Sequence, residues 1–221
     1  PDVGPTPCLA AGHVTFASFS IPAKLDAAAV GLWGRLLERV PGSMLLVVTN
    51  GLADVPEELT ARLVQQGIAP GRLRVSGSKP FREYLASHGE VDIVLDTFPF
   101  TGGTTSCHAL WMGVPVVSLA GETATSRGGA SLLHAIGLGE LVAHSEETFL
   151  DIASALALDT ARLATMRAGM RERMRGSPLM DAPRFARNLE AAYRDMWRTW
   201  CAGRPPSFAV RLAARLRQLI G

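Results

Sequence analysis

A turn of small residues, Gly-Gly-Thr-Thr at 102–105, lies between two segments of predicted regular structure. Residues 91–95 are an apolar run typical of a buried strand, and residues 106–112 have helical character. Glycine lets the backbone approach a ligand closely, and the start of a helix favours an anion. The turn therefore either binds a phosphate group, most naturally a diphosphate, or only caps the helix.

A second loop of small residues follows the next predicted strand. Residues 114–119 are apolar, residues 121–126 are mostly small, and another helix begins near Arg127. In a parallel sheet, the loops after successive strands lie at the carboxyl ends, where open α/β sheets bind their ligands. Asp96, which follows the strand at 91–95, is expected to fix the turn or to cap the next segment, and not to take part in catalysis. The two loops together predict one binding site.

Strand and helix alternate along most of the chain, and this alternation is what positions the two loops. The predicted strands are 13–19, 44–49, 72–76, 91–95, 114–119 and 141–143. The predicted helices between them are 27–39 with Asp26 as N-cap, 56–66, 81–87, 106–112 and one near Arg127. Such alternation predicts an α/β fold with a doubly wound parallel sheet.

Composition divides the chain into three predicted parts. Residues 1–12 are rich in proline and glycine and predict a linker. Residues 13–202 form the predicted lobe, whose last part is wholly helical. Its final helices are predicted at 146–157, 160–175 and 182–200. Residues 203–221 predict a basic amphipathic tail helix, which either packs on the lobe or contacts a membrane surface or a partner.

Composition and charge exclude several classes of protein. With 48% apolar and 19% charged residues, the chain is not disordered. No apolar run reaches the roughly 20 residues of a membrane span, and the N-terminus lacks the features of a signal peptide. Four of the 22 basic residues lie in 204–221, and the other 18 stand against 20 acidic residues, so no nucleic-acid face is expected. The three cysteines and five histidines have no metal-ligand spacing, which predicts a reduced, cytoplasmic protein that holds no metal.

The central stretch has a more specific pattern than its parts. It reads LDTFPFTGGTTSCHALWMGVPVV and then AGETATSR. It resembles the donor-binding lobe of the O-GlcNAc transferase/SPINDLY family of protein O-glycosyltransferases. The resemblance extends from about His13 to Cys201, and residues 176–197 are closer to the SPINDLY branch. It implies a Rossmann-like lobe of a GT-B-type glycosyltransferase, with a helical C-terminal extension.

The resemblance implies a set of residues that hold the donor diphosphate. Lys24 matches a lysine that meets the diphosphate and offsets the charge of the leaving group, so it is the expected catalytic residue. Thr104 and Thr105 match paired threonines that cradle the diphosphate, preceded by Gly102 and Gly103. Gly103 stands where the animal enzymes carry a histidine that stacks on uridine. The base is therefore left open between uridine and the guanosine that the SPINDLY branch uses.

Five further residues are implied as donor contacts, each beside a structural alternative. His108 stands where the family has a carboxylate that holds the ribose hydroxyls. Alternatively, it is a partly exposed helix histidine. Tyr84 replaces a donor-contacting histidine, or merely packs its helix. Glu122, Thr123 and Arg127 keep the family pattern of the second loop, which lies near the sugar or diphosphate. Arg127 could equally pair with Glu122.

The implied reaction is metal-independent transfer of a sugar from a donor of the UDP-GlcNAc or GDP-fucose type to Ser or Thr hydroxyls of an acceptor protein, with no cofactor. The first lobe of the family would precede His13, where 12 residues stand, so a missing N-terminal lobe is an expected partner. Three hypotheses follow: a catalytic lobe, a non-catalytic nucleotide-sugar-binding remnant or interaction module, and an enzyme similar to nucleotide-sugar epimerases.

Overall fold

Six parallel strands form one sheet in the computed structural model, which describes residues 1–49 and 56–203. In chain order they are β1 (Thr15–Ser20), β2 (Met44–Thr49), β3 (Leu73–Ser76), β4 (Ile93–Leu95), β5 (Val116–Leu119) and β6 (Val142–Ala143). Their order across the sheet is β3-β2-β1-β4-β5-β6. The chain winds outward from β1 to β3 on one side and from β4 to β6 on the other, which confirms the predicted doubly wound parallel sheet.

Helices connect the strands and then continue alone towards the C-terminus. They are α1 (Cys8–Ala11), α2 (Ala27–Arg39), α3 (Pro56–Gln65), α4 (Phe81–Ser87), α5 (Thr104–Trp111), α6 (Gly128–Ala135), α7 (Glu146–Leu158), α8 (Thr160–Arg175) and α9 (Ala182–Cys201). Asp26 caps α2 as predicted, because its carboxylate accepts a hydrogen bond from Ala29 N at 2.8 Å. Helix α5 begins at Thr104 and not at 106, so both threonines of the turn lie inside its first turn.

Strand β1 lies at the centre of the sheet, between β2 and β4, and all six of its residues are buried. Phe16 pairs in register with Leu45 of β2 and with Ile93 of β4. Continuous apolar runs are expected in parallel strands, because helices cover both faces of such sheets. Trp33 of α2 and Leu110 of α5 belong to the fully buried core around this strand.

The N-terminal segment, predicted as a linker at residues 1–12, packs on the lobe. The Asp92 carboxylate accepts hydrogen bonds from Cys8 N at 3.0 Å and from Thr15 N at 2.8 Å. Arg167 of α8 donates to the carbonyl of Gly4 at 2.9 Å. These partners lie far away in the sequence, so proline and glycine content could not reveal them. The structure places the segment in one compact unit with the sheet, Pro1–Leu179.

The second unit begins at Met180, and its described part is α9. The predicted lobe, 13–202, includes this helix, because helical periodicity identifies a helix but not the unit to which it belongs. The apolar residues of α9 recur at helical spacing. They are Phe185, Leu189, Tyr193, Met196, Trp197 and Trp200. The predicted tail helix at 203–221 lies outside the described residues, apart from Gly203. None of the helices in the described ranges is long and apolar enough to cross a membrane.

Candidate functional site

Three loops meet at the carboxyl ends of β1, β4 and β5. The loop after β1 contains Lys24, at the end of a short 3-10 helix, Pro22–Lys24. The loop after β4 leads from Asp96 to residues 102–105, which we call the glycine-threonine turn. The loop after β5, residues 120–127, is called the second loop. These loops lie together because neighbouring parallel strands end at the same edge of the sheet.

The buried carboxylate of Asp96 anchors the glycine-threonine turn. Oδ1 accepts a hydrogen bond from Gly102 N at 2.6 Å, and Oδ2 accepts one from Ser118 Oγ of β5 at 2.8 Å. A Cβ atom at Gly102 would lie 3.1 Å from Oδ1 and would overlap Ser106 Oγ, so only glycine fits here. Burial raises the pKa of Asp96 to about 6, against the effect of its hydrogen bonds and of Lys24. The expectation that Asp96 fixes the turn is confirmed.

The first turn of α5 has the arrangement that binds an anion. Its N-cap is Gly103, and no side chain caps the helix. The first N–H groups of a helix have no carbonyl partner within the helix, and the helix dipole makes this end attractive to negative charge. Thr104 is exposed and Thr105 is half-buried. Gly103 of the turn is therefore the N-cap, and the two threonines follow it as helical residues whose side chains do not cap α5. Phosphate binding by the turn stays a prediction.

Lys24 faces the glycine-threonine turn. Its Nζ donates a hydrogen bond to the carbonyl of Thr101 at 3.2 Å and lies 3.7 Å from the ring centroid of Phe100. A cation over an aromatic face is held by the electrons of the ring. Burial lowers the pKa of the Lys24 ammonium, and the nearby Asp96 carboxylate opposes this effect. The ammonium is thus held in place beside the turn.

Thr101 joins the glycine-threonine turn to the second loop. Its N and Oγ1 both donate to the carbonyl of Thr125, at 3.3 Å and 2.9 Å. Oγ1 also accepts a hydrogen bond from Gly129 N at the start of α6, at 3.2 Å. Since its carbonyl accepts from Lys24, one residue connects all three loops.

Two cavities meet at the turn and share Lys24, Gly102 and Thr105. The inner cavity has a volume of about 240 Å³ and lies between the ends of β1 and β4, beside Asp96 and Ser20. Ser20 Oγ is buried and has no hydrogen-bond partner in the described part of the chain. The outer cavity, of about 480 Å³, lies between the turn and the second loop. Its other lining residues are Phe100, Thr101, Gly103, Thr104, Ala124, Thr125 and Gly128.

The second loop contributes other residues than those predicted. Ala124 and Thr125 line the outer cavity, whereas Glu122, Thr123 and Arg127 are among the lining residues of neither cavity. The Arg127 guanidinium donates to the carbonyl of Gly121 at 3.1 Å, which replaces the considered pairing with Glu122. Thr123 Oγ1 lies 3.0 Å from Ser126 Oγ, so this threonine holds the loop together.

Tyr84 and His108 contact each other beside α5. Tyr84 Oη lies 3.4 Å from His108 Nδ1, and the Tyr84 side chain is almost fully buried. Phe81 is 63% exposed and packs on both, with ring centroids 6.2 Å from Tyr84 and 5.4 Å from His108. Burial lowers the pKa of the His108 imidazole, which favours its neutral form. The three rings form an aromatic cluster, and none of the three residues lines either cavity.

Phe100 and Thr101 contact Lys24 but were not among the predicted site residues. Both lie inside the stretch that carries the family resemblance. Nothing in their spacing indicates a role, because the partners of Thr101 stand 24, 28 and 77 residues away in the sequence. Among residues 1–49 and 56–203, no group of three or more His, Cys, Asp or Glu side chains could hold a metal ion.

Comparison with known proteins assigns the chain to a family. Residues 8–189 match glycosyl transferase family 41. Over 208 residues the chain is 38% identical to a probable UDP-N-acetylglucosamine–peptide N-acetylglucosaminyltransferase SPINDLY of Arabidopsis thaliana, covering 93% of this chain and 23% of the relative. It is 30% identical over 192 residues to the UDP-N-acetylglucosamine–peptide N-acetylglucosaminyltransferase of Caenorhabditis elegans, covering 87% of this chain and 17% of that relative.

A solved structure supports the same assignment. A mutant O-GlcNAc transferase from Thermobaculum terrenum matches with a TM-score of 0.80 at 36% identity, over 88% of this chain and 38% of that one. The resemblance to the O-GlcNAc transferase/SPINDLY family and the Rossmann-like GT-B lobe are thereby confirmed. The chain spans less than a quarter of the length of the two curated relatives. On these matches, the chain belongs to glycosyl transferase family 41.

Proposed function

We propose that this lobe binds the diphosphate of a nucleotide-sugar donor at the glycine-threonine turn, and that it presents the donor for transfer of the sugar to Ser or Thr hydroxyls of proteins. One observation carries the proposal. The ammonium of Lys24 faces the turn, which contains the start of α5 without a side-chain cap, and two cavities meet there. A fixed cation and a helix N-terminus together favour a diphosphate. The names of both curated relatives, which are peptide glycosyltransferases, support the acceptor class.

Lys24 would act on the leaving group of the transfer. The acceptor oxygen forms a bond to the anomeric carbon while the bond from that carbon to the diphosphate oxygen breaks. The bonding electrons leave with the diphosphate, whose negative charge grows. A preorganised cation and N–H groups in a partly dry site stabilise such growing charge. The acceptor proton must go to a base, for which we assign no residue of this chain.

For the nucleobase of the donor, we propose that position 103 admits either uracil or guanine. A Cβ atom at Gly103 would have no neighbour within 4 Å, so there is open space where a stacking side chain could stand. The names of the relatives favour UDP-N-acetylglucosamine. Phe81 is the exposed ring of the aromatic cluster and offers a flat surface on which a base could stack.

Calorimetric titration of UDP and GDP into the native chain and into its Lys24→Ala variant tests the proposal. We expect one nucleotide to bind, and Lys24→Ala to weaken it by about tenfold or more, because a charge-assisted contact is lost. Arg162→Ala removes the same charge at an exposed site on α8 and serves as the matched control.

The titrations are run with EDTA, because we propose that donor binding needs no metal. Binding that requires added Mg²⁺ would contradict this part of the proposal. Equal affinity of the native chain and Lys24→Ala for the bound nucleotide would remove Lys24 from the diphosphate site. Binding of neither nucleotide would contradict donor binding by this chain.

A further inference from the structure

We infer that Asp96 is a positioning residue of the proposed diphosphate site, where its carboxylate holds the glycine-threonine turn through geometry and not through charge. The inference rests on the proposed function, since it concerns the same site. Asp96 has no part in the transfer step described above. It is nevertheless a buried carboxylate that lines the inner cavity, beside the site where an anion would bind.

The carboxylate ties together three elements that must keep their places. It follows β4, accepts from Gly102 N in the turn and accepts from Ser118 Oγ on β5. A Cβ atom at Gly129 of α6 would overlap both Asp96 Oδ2 and Ser118 Oγ, so α6 packs directly on this pair. The two oxygens of one side chain therefore set the distance between the turn, β5 and the start of α6.

The hydrogen bond from Gly102 N to Asp96 determines which N–H groups of the turn remain to bind a ligand. Gly102 N is committed to Asp96, and it lies next to the N-cap of α5. Removal of the carboxylate would leave this buried N–H without an acceptor, and the turn would have to move to satisfy it. The start of α5 and the carbonyl of Thr101, which accepts from Lys24, would move with the turn.

The charge of Asp96 works against an anionic ligand. An ionised carboxylate beside the site repels a diphosphate, whereas the nearby Lys24 ammonium attracts it. Asparagine has the shape of aspartate without its charge. Its Oδ1 can accept from Gly102 N, and its Nδ2 can donate to Ser118 Oγ. If the role is geometric, Asp96→Asn preserves the site, whereas Asp96→Ala does not.

The test is titration of the nucleotide that binds the native chain, UDP or GDP, into Asp96→Ala and Asp96→Asn. Circular dichroism first identifies a temperature at which all variants are folded, so that affinities are compared between folded proteins. We expect Asp96→Ala to weaken binding about tenfold or more, and Asp96→Asn to bind at least as tightly as the native chain. Competition by inorganic diphosphate shows whether the lost affinity is affinity for the diphosphate part of the nucleotide.

Ser118→Ala is the second variant, in case Asp96→Ala does not fold. It removes one of the two hydrogen bonds and should weaken binding by about threefold. Loss of affinity in Asp96→Asn equal to that in Asp96→Ala would show a role through charge and overturn the inference. Native affinity in both Asp96→Ala and Ser118→Ala would overturn it as well. Failure of the native chain to bind either nucleotide would instead contradict the proposed function.

Discussion

Burial of the Asp96 carboxyl raises its pKa to about 6, so the folded protein keeps a proton on this group at pH values where the unfolded chain has lost it. The folded-state pKa lies above the unfolded one. The stabilising contribution of Asp96 is therefore fully present below about pH 4 and is lost as the pH rises through about 6.

We predict that this pH dependence disappears when the group cannot titrate. Relative to Asp96→Asn, the native chain should lose about 2 kcal/mol of unfolding free energy between pH 4 and pH 7, because the ionised carboxylate is poorly solvated. Urea denaturation of both proteins across this range measures the difference, in which all other titrating groups cancel. A constant difference between the two proteins would contradict the prediction.

At the residue scale, candidate site residues could be predicted from sequence where they lie in a small-residue turn or in a motif of the family. The glycines and threonines at 102–105 were named from the small-residue turn and Lys24 from the family resemblance, and the structure places them at the same two cavities. Their role in donor binding stays a prediction. Phe100 was not predicted, because a phenylalanine beside a proline has many ordinary explanations. Its contact with Lys24 depends on how two loops approach each other in three dimensions.

At the scale of elements, the amino ends of the strands are held by one buried cation. Arg167 of α8 is 3% exposed and donates to the carbonyls of Gly4, Val91 and His88 at 2.8–3.1 Å. The nearby Asp92 carboxylate accepts from Cys8 N and Thr15 N. The N-terminal segment, β1, β4 and α8 are thereby connected at the edge of the sheet opposite the site.

We predict that Arg167→Met destabilises the lobe by about 3–5 kcal/mol, because three carbonyls lose their donor and a buried carboxylate loses its cation. Arg162→Met, an exposed position on the same helix, should change stability by less than about 0.5 kcal/mol. Urea denaturation measures both. Similar stabilities of the two variants would show that the Arg167 contacts contribute little.

Secondary structure was predictable wherever it depends on neighbouring residues. The alternation of apolar runs and capped helices identified the six strands of the described sheet and the N-cap at Asp26. The packing of residues 1–12 was not predictable. It depends on two hydrogen bonds whose partners are separated by 84 and by 163 positions in the sequence, and no local pattern encodes such contacts.

At the scale of the whole molecule, the chain matches 38% of the length of the bacterial O-GlcNAc transferase and 23% of the plant relative. In the proposed function the diphosphate site is built from residues of this lobe, whereas the base for the acceptor proton is assigned to none of its described residues. Binding and turnover should therefore separate in this chain.

We predict that the 221-residue chain binds its nucleotide without transferring sugar to acceptor peptides and without altering the free nucleotide sugar. Mass spectrometry of a Ser- and Thr-containing peptide and NMR of the donor measure the two reactions, with a longer relative as positive control. A glycosylated peptide would show that the chain contains its own base. An epimerised donor would favour the epimerase-like alternative.

The packing around Asp96 also limits how sequences of this kind can diverge. Gly102 and Gly129 have no space for a side chain, because a Cβ atom at either would overlap neighbouring hydroxyl oxygens. Gly103 has open space around it. Inherited variation is therefore tolerated at 103, whereas 102 and 129 have to remain glycine. In the proposed donor site, a single substitution at 103 would change the recognised base without rebuilding the turn.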